Sequence, residues 1–190
     1  LYTKQLIDLD KGYSGMYEYY NDLGILFYYT QEKDSSLHYL EKSVSLAVNS
    51  QNDPEFRDIL IRNYADVLSD FGENDQAIVL QTQLLEQYKK TRSKYESLAY
   101  ISLSRYYLNK NRLDSAKYYM ELAEVTRLPF INEDLSLNNY YTVQKTVLDY
   151  AETHKFKIRD LTFFSNNMFE SYLDKEKIIR EEGETQELLE

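Results

Sequence analysis

The chain of 190 residues contains no cysteine, no tryptophan, 2 prolines and 5 glycines. The absence of cysteine excludes disulfides, thiolate metal sites and thiol nucleophiles. Sheet-rich folds need many turn residues, so the scarcity of glycine and proline favours long helices joined by short loops. No apolar run approaches the length of about 18 residues that a membrane span requires. The sequence therefore predicts a helical protein with no membrane-spanning segment in these residues.

Basic residues are also in short supply, since 22 Lys and Arg face 32 Asp and Glu, which gives a net charge of −10. Nucleic-acid binding depends on clustered Lys and Arg, and no such cluster is present. The charge likewise disfavours an anionic membrane surface. The scattered glycines form neither a dinucleotide fingerprint nor a P-loop. We therefore expect no nucleic acid and no cofactor.

What the sequence has in abundance is tyrosine, with 20 Tyr beside 8 Phe. A tyrosine ring buries a large apolar surface and keeps a polar tip for water or a hydrogen bond. Thin stacks of helices have much half-buried surface and little deep core. Most of these tyrosines are therefore interpreted as packing residues.

A pattern of large and small residues occurs three times along the chain. A small residue in one predicted helix is followed twelve positions later by a small residue in the next, as in Gly24 and Ser36, Ala65 and Ala77, and Ser104 and Ala116. Large residues three and four positions away line the same helix face. Small residues on that face let two helices approach closely, so each copy predicts a helix hairpin.

The predicted turns lie at residues 31–35, 72–75 and 109–114. Asp34, Asp75 and Asp114 stand two residues before the second small position of each copy. An aspartate accepts hydrogen bonds from free backbone N–H groups at a helix start, so we expect these three residues to be N-caps.

The copies resemble the tetratricopeptide repeat family, most closely in Tyr100, Leu103, Ser104, Tyr107, Ala116, Met120 and Ala123. The resemblance implies an all-α, right-handed superhelical solenoid of antiparallel helix hairpins that binds a protein or peptide. Two features depart from the family pattern. The copies are about 40 residues apart rather than about 34, and Gln81 occupies a slot that is normally large and apolar.

The resemblance also divides the chain. Residues 1–12 are interpreted as the tail of a preceding repeat, and residues 13–173 as an array of three clear hairpins and a fourth. The fourth is expected to have a first helix at 135–152, a turn at 154–157 and a second helix at 159–173. Residues 174–190 are predicted to be a charged exposed helix or tail. Because the chain begins at Leu1, it is interpreted as a fragment of a longer protein.

No catalytic constellation is apparent in the sequence. Nucleophilic catalysis needs an activated nucleophile beside a base, and the two histidines, His38 and His154, lie in different copies without a serine motif. Both are interpreted as residues that cap or solvate helix ends. The spacing of the acidic residues matches no metal-ligand motif. We therefore predict that the protein is not an enzyme and that it binds no metal.

In the resembled family the first helices line the inner surface of the superhelix. By slot, this implies a partner groove that contains Asn21, Tyr28, Tyr29, Arg62, Asp66, Arg105 and Asn109. The guanidinium groups of Arg62 and Arg105 present a planar fork that suits a carboxylate. The alternative is that Arg62 pairs with Asp66 four residues later and that the tyrosines pack between repeats.

The predicted function is a protein- or peptide-binding scaffold, and a homo-oligomer is compatible with it. The tyrosine-rich, cysteine-free, long-repeat style resembles the arrays of Bacteroidetes regulators, which implies the sensory or assembly array of a larger signalling or transcription-regulating protein. Alternatives are a cytoplasmic peptide-pheromone receptor array and a response-regulator phosphatase that uses one groove residue. The compartment stays open between periplasm and cytoplasm.

Overall fold

The computed structural model describes residues 16–48, 54–91, 94–130, 132 and 134–154, and every regular element within these ranges is helical. The helices are α1 (Met16–Tyr29), α2 (Lys33–Val48), α3 (Pro54–Asp70), α4 (Asn74–Thr91), α5 (Lys94–Asn109), α6 (Leu113–Arg127) and α7 (Leu135–His154), with a 3₁₀ helix at Leu128–Phe130. The all-α prediction is confirmed for this part of the chain. The expected helix and tail beyond α7, and the expected tail before α1, lie outside the described residues.

The chain divides into two compact units, Leu1–Leu84 and Leu85–Glu190, and the division falls within α4. In the first unit, α1 packs on α2, and α2 packs on α3. In the second unit, α5 packs on α6, and α7 packs on both. Helix α7 begins at Leu135, where the first helix of the fourth hairpin was predicted.

One turn design joins the two helices of each hairpin. Gln31, Gly72 and Asn111 follow the first helices with positive φ angles of 61°, 87° and 58°. After α1, the Glu32 amide donates to the Phe27 carbonyl and the Gln31 amide donates to the Tyr28 carbonyl. The equivalent pair of bonds follows α3 and α5. These are Schellman motifs, which satisfy the last carbonyls of a helix and reverse the chain within three residues.

The expected aspartate N-caps are wrong by position. The second helices begin at Lys33, Asn74 and Leu113, so Asp34, Asp75 and Asp114 lie inside the first turn. The residue before each helix instead accepts the first helical hydrogen bond, as Glu32 does from the Ser36 amide. Carboxylates within the first turn still stabilise a helix, because they lie near the positive end of its dipole.

Close approach of α1 and α2 depends on the first pair of small residues. Ser36 is buried, and its Oγ donates to the Gly24 carbonyl at 2.9 Å. Leu40, one turn further along α2, lies over the Gly24 backbone and is fully buried. The small residues of the other copies are also buried, at Ala65, Ala77, Ser104 and Ala116. The predicted small positions are therefore interior positions in each described hairpin.

Two of the hairpins contain the same stack of aromatic rings. In α1 and α2, Tyr39 stacks between Tyr20 and Phe27, with ring centroids 6.0 and 5.5 Å apart. In α5 and α6, the residues 80 positions later, Tyr119, Tyr100 and Tyr107, repeat the arrangement at 6.2 and 5.2 Å. The hairpin of α3 and α4 has Ile61, Leu80 and Leu68 at these slots. In each stack the first ring, Tyr20 or Tyr100, is buried and the other two are half-buried, an environment that suits tyrosine.

In the second unit, an ionic cluster joins α6 to α7. The Arg127 guanidinium lies 4.0 Å from the Tyr141 ring centroid, and it bonds Glu124 at 2.7 Å and Asn138 at 3.0 Å. Lys117 and Glu152 form a further ion pair between the same helices. Beneath these contacts, the core contains Leu108, Ala116, Met120, Val147, Leu148 and Ala151. Polar and apolar contacts together therefore fix α7 against the α5–α6 hairpin.

Candidate functional site

Two hydrogen bonds place α1 beside α3 in the first unit. Asn63 Nδ2 donates to Asn21 Oδ1 at 3.3 Å, and the Tyr28 hydroxyl donates to Asp70 Oδ2 at 2.9 Å. Both pairs span 42 residues, which is close to one repeat. We call the surface formed by Asn21, Tyr29, Arg62 and Asn63 the α1–α3 face.

Arg62 is the feature of this face that distinguishes it chemically. The side chain is half-buried on α3, and it forms no hydrogen bond, ion pair or ring contact with any other described residue. The alternative pair with Asp66 is thus not formed. Asp66 itself is buried, with 4% of its surface exposed. The guanidinium therefore has no partner among the described residues, and its N–H donors can bind a carboxylate.

Tyr29 and Asn21 supply the other accessible groups of the face. Tyr29 is 52% exposed, and its ring lies 5.5 Å from that of Tyr28 at a tilt of 58°. Asn21 is half-buried; its Oδ1 accepts from Asn63, and its Nδ2 donates to Asp22 at 3.3 Å. An aromatic ring and a primary amide on one face suit an extended peptide, because the amide matches backbone groups and the ring packs on side chains.

Tyr28 is placed in the interior rather than on the face. It belongs to a buried cluster with Leu40 and Val67, and its ring meets Phe71 edge-on at 5.7 Å. Its hydroxyl is engaged by Asp70. A ring held in this way positions α1 against α3 and presents little surface to a ligand.

The remaining predicted groove residues lie in the second unit. Arg105 and Asn109 are four residues apart on α5, so they share one side of that helix. The Arg105 guanidinium lies 5.4 Å from the centroid of the Tyr106 ring. Asn109 is the last residue of α5 and is half-buried. The structure thus groups Asn21, Tyr29, Arg62 and Asp66 in one unit and Arg105 with Asn109 in the other.

Asn63 was missing from the sequence-based groove, although it bonds Asn21 across the two helices. The available signal was an amide on each of two first helices, one repeat apart. Tyr64, the next residue, packs against the buried cluster of Tyr28, Leu40 and Val67, and burial together with the nearby Glu41 carboxylate raises its pKa.

His38 does not lie at a helix end, contrary to its interpretation. It is exposed on α2, six positions into the helix, and meets the Tyr39 ring edge-on at 5.2 Å. Within the described ranges, no three His, Cys, Asp or Glu residues gather closely enough to hold a metal ion. The same ranges contain no helix with the length and apolar character that crossing a membrane requires.

Comparison of this chain with protein-family models, with curated proteins and with solved structures finds no match. The chemistry of the α1–α3 face must therefore be argued from its own residues. Its groups are one available guanidinium, one amide pair and one exposed aromatic ring. They can bind a carboxylate and the backbone of a peptide beside it.

Proposed function

We propose that this protein is a non-catalytic scaffold that binds a partner protein or peptide on its α1–α3 face. The observation that carries the proposal is Arg62, a half-buried guanidinium without an ionic partner among the described residues. Acidic residues outnumber basic ones by 32 to 22, so an arginine has many potential partners within the chain. A carboxylate of a bound peptide would complete the pairing that Arg62 lacks.

The surroundings of Arg62 support a peptide rather than a small anion. Asn63, the residue after Arg62, bonds Asn21 of α1, and Tyr29, the last residue of α1, is 52% exposed. Primary amides can pair with backbone N–H and C=O groups, while an exposed tyrosine packs on an adjacent side chain.

The proposal includes the architecture that the resemblance implies, a right-handed superhelical solenoid of helix hairpins. We also propose that the chain is part of a larger bacterial signalling or regulatory protein, as its resemblance to the arrays of Bacteroidetes regulators implies.

A peptide library displayed on phage, selected against the immobilised chain, tests the proposal directly. We expect selected peptides to carry an acidic residue or a free C-terminal carboxylate. Their affinity for Arg62→Glu should fall about tenfold or more, because loss of a bidentate pair is joined by repulsion. Selection against Arg62→Glu should instead enrich basic peptides.

Lys90→Glu is the matched control, because it makes the same charge change at an exposed residue of α4 outside the face. The selected peptides should bind Lys90→Glu as they bind the unmodified chain. Peptides that bind Arg62→Glu equally well would refute the assignment of the face. So would a selection that enriches no sequence.

A further inference from the structure

Helix α6 and the first residue of the 3₁₀ helix that follows it carry three exposed apolar residues and one glutamate in a row. Tyr118, Glu121, Val125 and Leu128 follow one another at spacings of three, four and three residues. This spacing places them on one side of the helix. Tyr118 is 56% exposed, Val125 67% and Leu128 52%. We call these four residues the α6 stripe.

The other second helices differ at the equivalent positions. Helix α2 has His38, Glu41, Ser45 and Val48, and helix α4 has Val79, Thr82, Glu86 and Lys89. Each of those rows has one large apolar residue, whereas the α6 stripe has three. Isolated exposed apolar residues are ordinary on protein surfaces. Three of them at heptad spacing are typical of a helix that packs on another helix.

Side-chain contacts near both ends of the stripe hold α6 in position. The Tyr118 ring packs edge-on against Tyr119, the central ring of the stack, at 5.3 Å. At the other end, Arg127 bonds Asn138 of α7. Leu135, one turn before Asn138, is also exposed. Little ordering of the surface is required before a partner binds.

The charged residues of the stripe indicate which kind of partner can bind to it. Glu121 lies between the apolar residues, and Asp114 lies one turn before Tyr118. Both are exposed, and neither lies within ion-pair or hydrogen-bond distance of another described residue. Both attract Lys117, which lies between them on α6, but its ammonium group pairs with Glu152 of α7. A second copy of the chain packed in parallel would place Glu121 against Glu121, and an antiparallel copy would place it against Val125. Both arrangements cost free energy, through like-charge repulsion or burial of an unpaired charge.

We propose that the α6 stripe is a docking surface for an amphipathic helix of a partner protein. The partner helix presents apolar residues at three- and four-residue spacing, with Lys or Arg placed to reach Glu121 and Asp114. This surface is separate from the α1–α3 face, and its test does not depend on Arg62.

Two synthetic helical peptides serve as probes. Both carry leucine at heptad spacing, and the flanking positions are lysine in one peptide and glutamate in the other. Binding of each labelled peptide to the full chain is measured by fluorescence anisotropy. We expect the lysine peptide to bind about tenfold more tightly than the glutamate peptide, and Glu121→Lys to reverse this preference. Val125→Lys should weaken both peptides about tenfold, because it places a charge in the apolar contact.

Equivalent changes on α2, Glu41→Lys and Ser45→Lys, are the matched controls and should leave both affinities unchanged. If Glu41→Lys and Ser45→Lys change the affinities as much as the variants of the α6 stripe do, the peptides bind by general attraction to an acidic protein. That result would overturn the proposal. Self-association that is abolished by Val125→Lys, measured by sedimentation, would assign the stripe to a second copy instead. A lower melting temperature of Val125→Lys would show that the chain's own residues cover the stripe. The Arg62→Glu variant should bind the lysine peptide normally, which separates this test from that of the α1–α3 face.

Discussion

Leu40 packs directly on Gly24, so closely that a Cβ atom added to Gly24 would lie 2.6 Å from Leu40 Cγ and 3.1 Å from Leu40 N. Gly24→Ala should therefore destabilise the protein, although alanine is the better helix former. The overpacking costs about 1–3 kcal/mol, and the gain in helix propensity offsets about 1 kcal/mol of it. Urea denaturation measures the difference. In the Gly24→Ala, Leu40→Ala double variant the two losses should not add, because the clash with the Leu40 side chain is gone. Additive losses would show that the two residues do not meet.

The Schellman turns make opposite predictions for two residues with the same backbone conformation. Gly72→Ala should lower the free energy of unfolding by about 1 kcal/mol, because φ is 87° and a side chain is strained there. A Cβ at Gly72 would meet nothing within 4 Å, so the cost is conformational alone. Gln31→Gly, at φ 61°, should raise stability by a smaller amount, since it gives up the bond from Gln31 Nε2 to the Tyr28 carbonyl. Both changes are measured by urea denaturation, and a shift of the same sign in both would contradict the turn assignment.

Gln81 is a buried amide in an apolar slot. It is 1% exposed, and neither Nε2 nor Oε1 has a hydrogen-bond partner among the described residues, while Leu40 and Met120 fill the equivalent positions. Gln81→Leu should raise the free energy of unfolding by about 1–3 kcal/mol, because it removes an unpaired polar group from the interior. Thermal unfolding checks this, with exposed Thr82→Leu as the neutral comparison. An unchanged or lower midpoint for Gln81→Leu would mean that its amide is satisfied in solution.

Tyr141 predicts how stability depends on alkaline pH. Burial and the hydrogen bond with Glu124 raise its pKa from 10.0 to about 12. A raised pKa in the folded state adds stability that is complete below the unfolded value and is lost as the pH rises through the folded value. Stability should thus fall between pH 10 and about pH 12, and less steeply in Tyr141→Phe. Tyr64, Tyr100 and Tyr119, whose pKa values burial also raises, contribute in the same direction in both proteins. Equal slopes for Tyr141→Phe and the unmodified chain in pH-dependent urea denaturation would rule out this role of Tyr141.

The hairpins and their interior small residues could be predicted from sequence, because a small residue on an apolar face has a clear physical use. Gly24 and Ser36, predicted to let two helices approach closely, are indeed in contact. The sequence predicted where the turns lie along the chain but not their backbone conformation. Only one of the three positive-φ residues is glycine, and Gln31 gives no sign of it in its residue type. The aspartates were predicted as N-caps but lie two positions after the N-cap, because each second helix begins at the residue before its aspartate.

The candidate site was less predictable, because a slot pattern fixes which side of a helix a residue occupies and not what it touches. Tyr28 and Tyr29 are neighbouring tyrosines, yet Tyr28 is buried against Phe71 and Tyr29 is exposed. Tyr28 is directed towards α3, where its hydroxyl donates to Asp70, whereas Tyr29 is turned by about 100° around the helix axis. For Arg62, sequence left a choice between an internal pair and an available guanidinium, and the geometry selects the second within the described residues.

The hairpins α1–α2 and α5–α6 share the same ring stack and the same turn. The two hairpins align at a constant offset of 80 residues without a gap, including the positive-φ residues Gln31 and Asn111. A crossover in the gene between any position of one hairpin and its counterpart in the other would preserve the turn and the ring stack. It would shorten or lengthen the protein by two whole hairpins at once. One such event would change the number of helices and leave the turn between the two helices of the recombined hairpin unchanged.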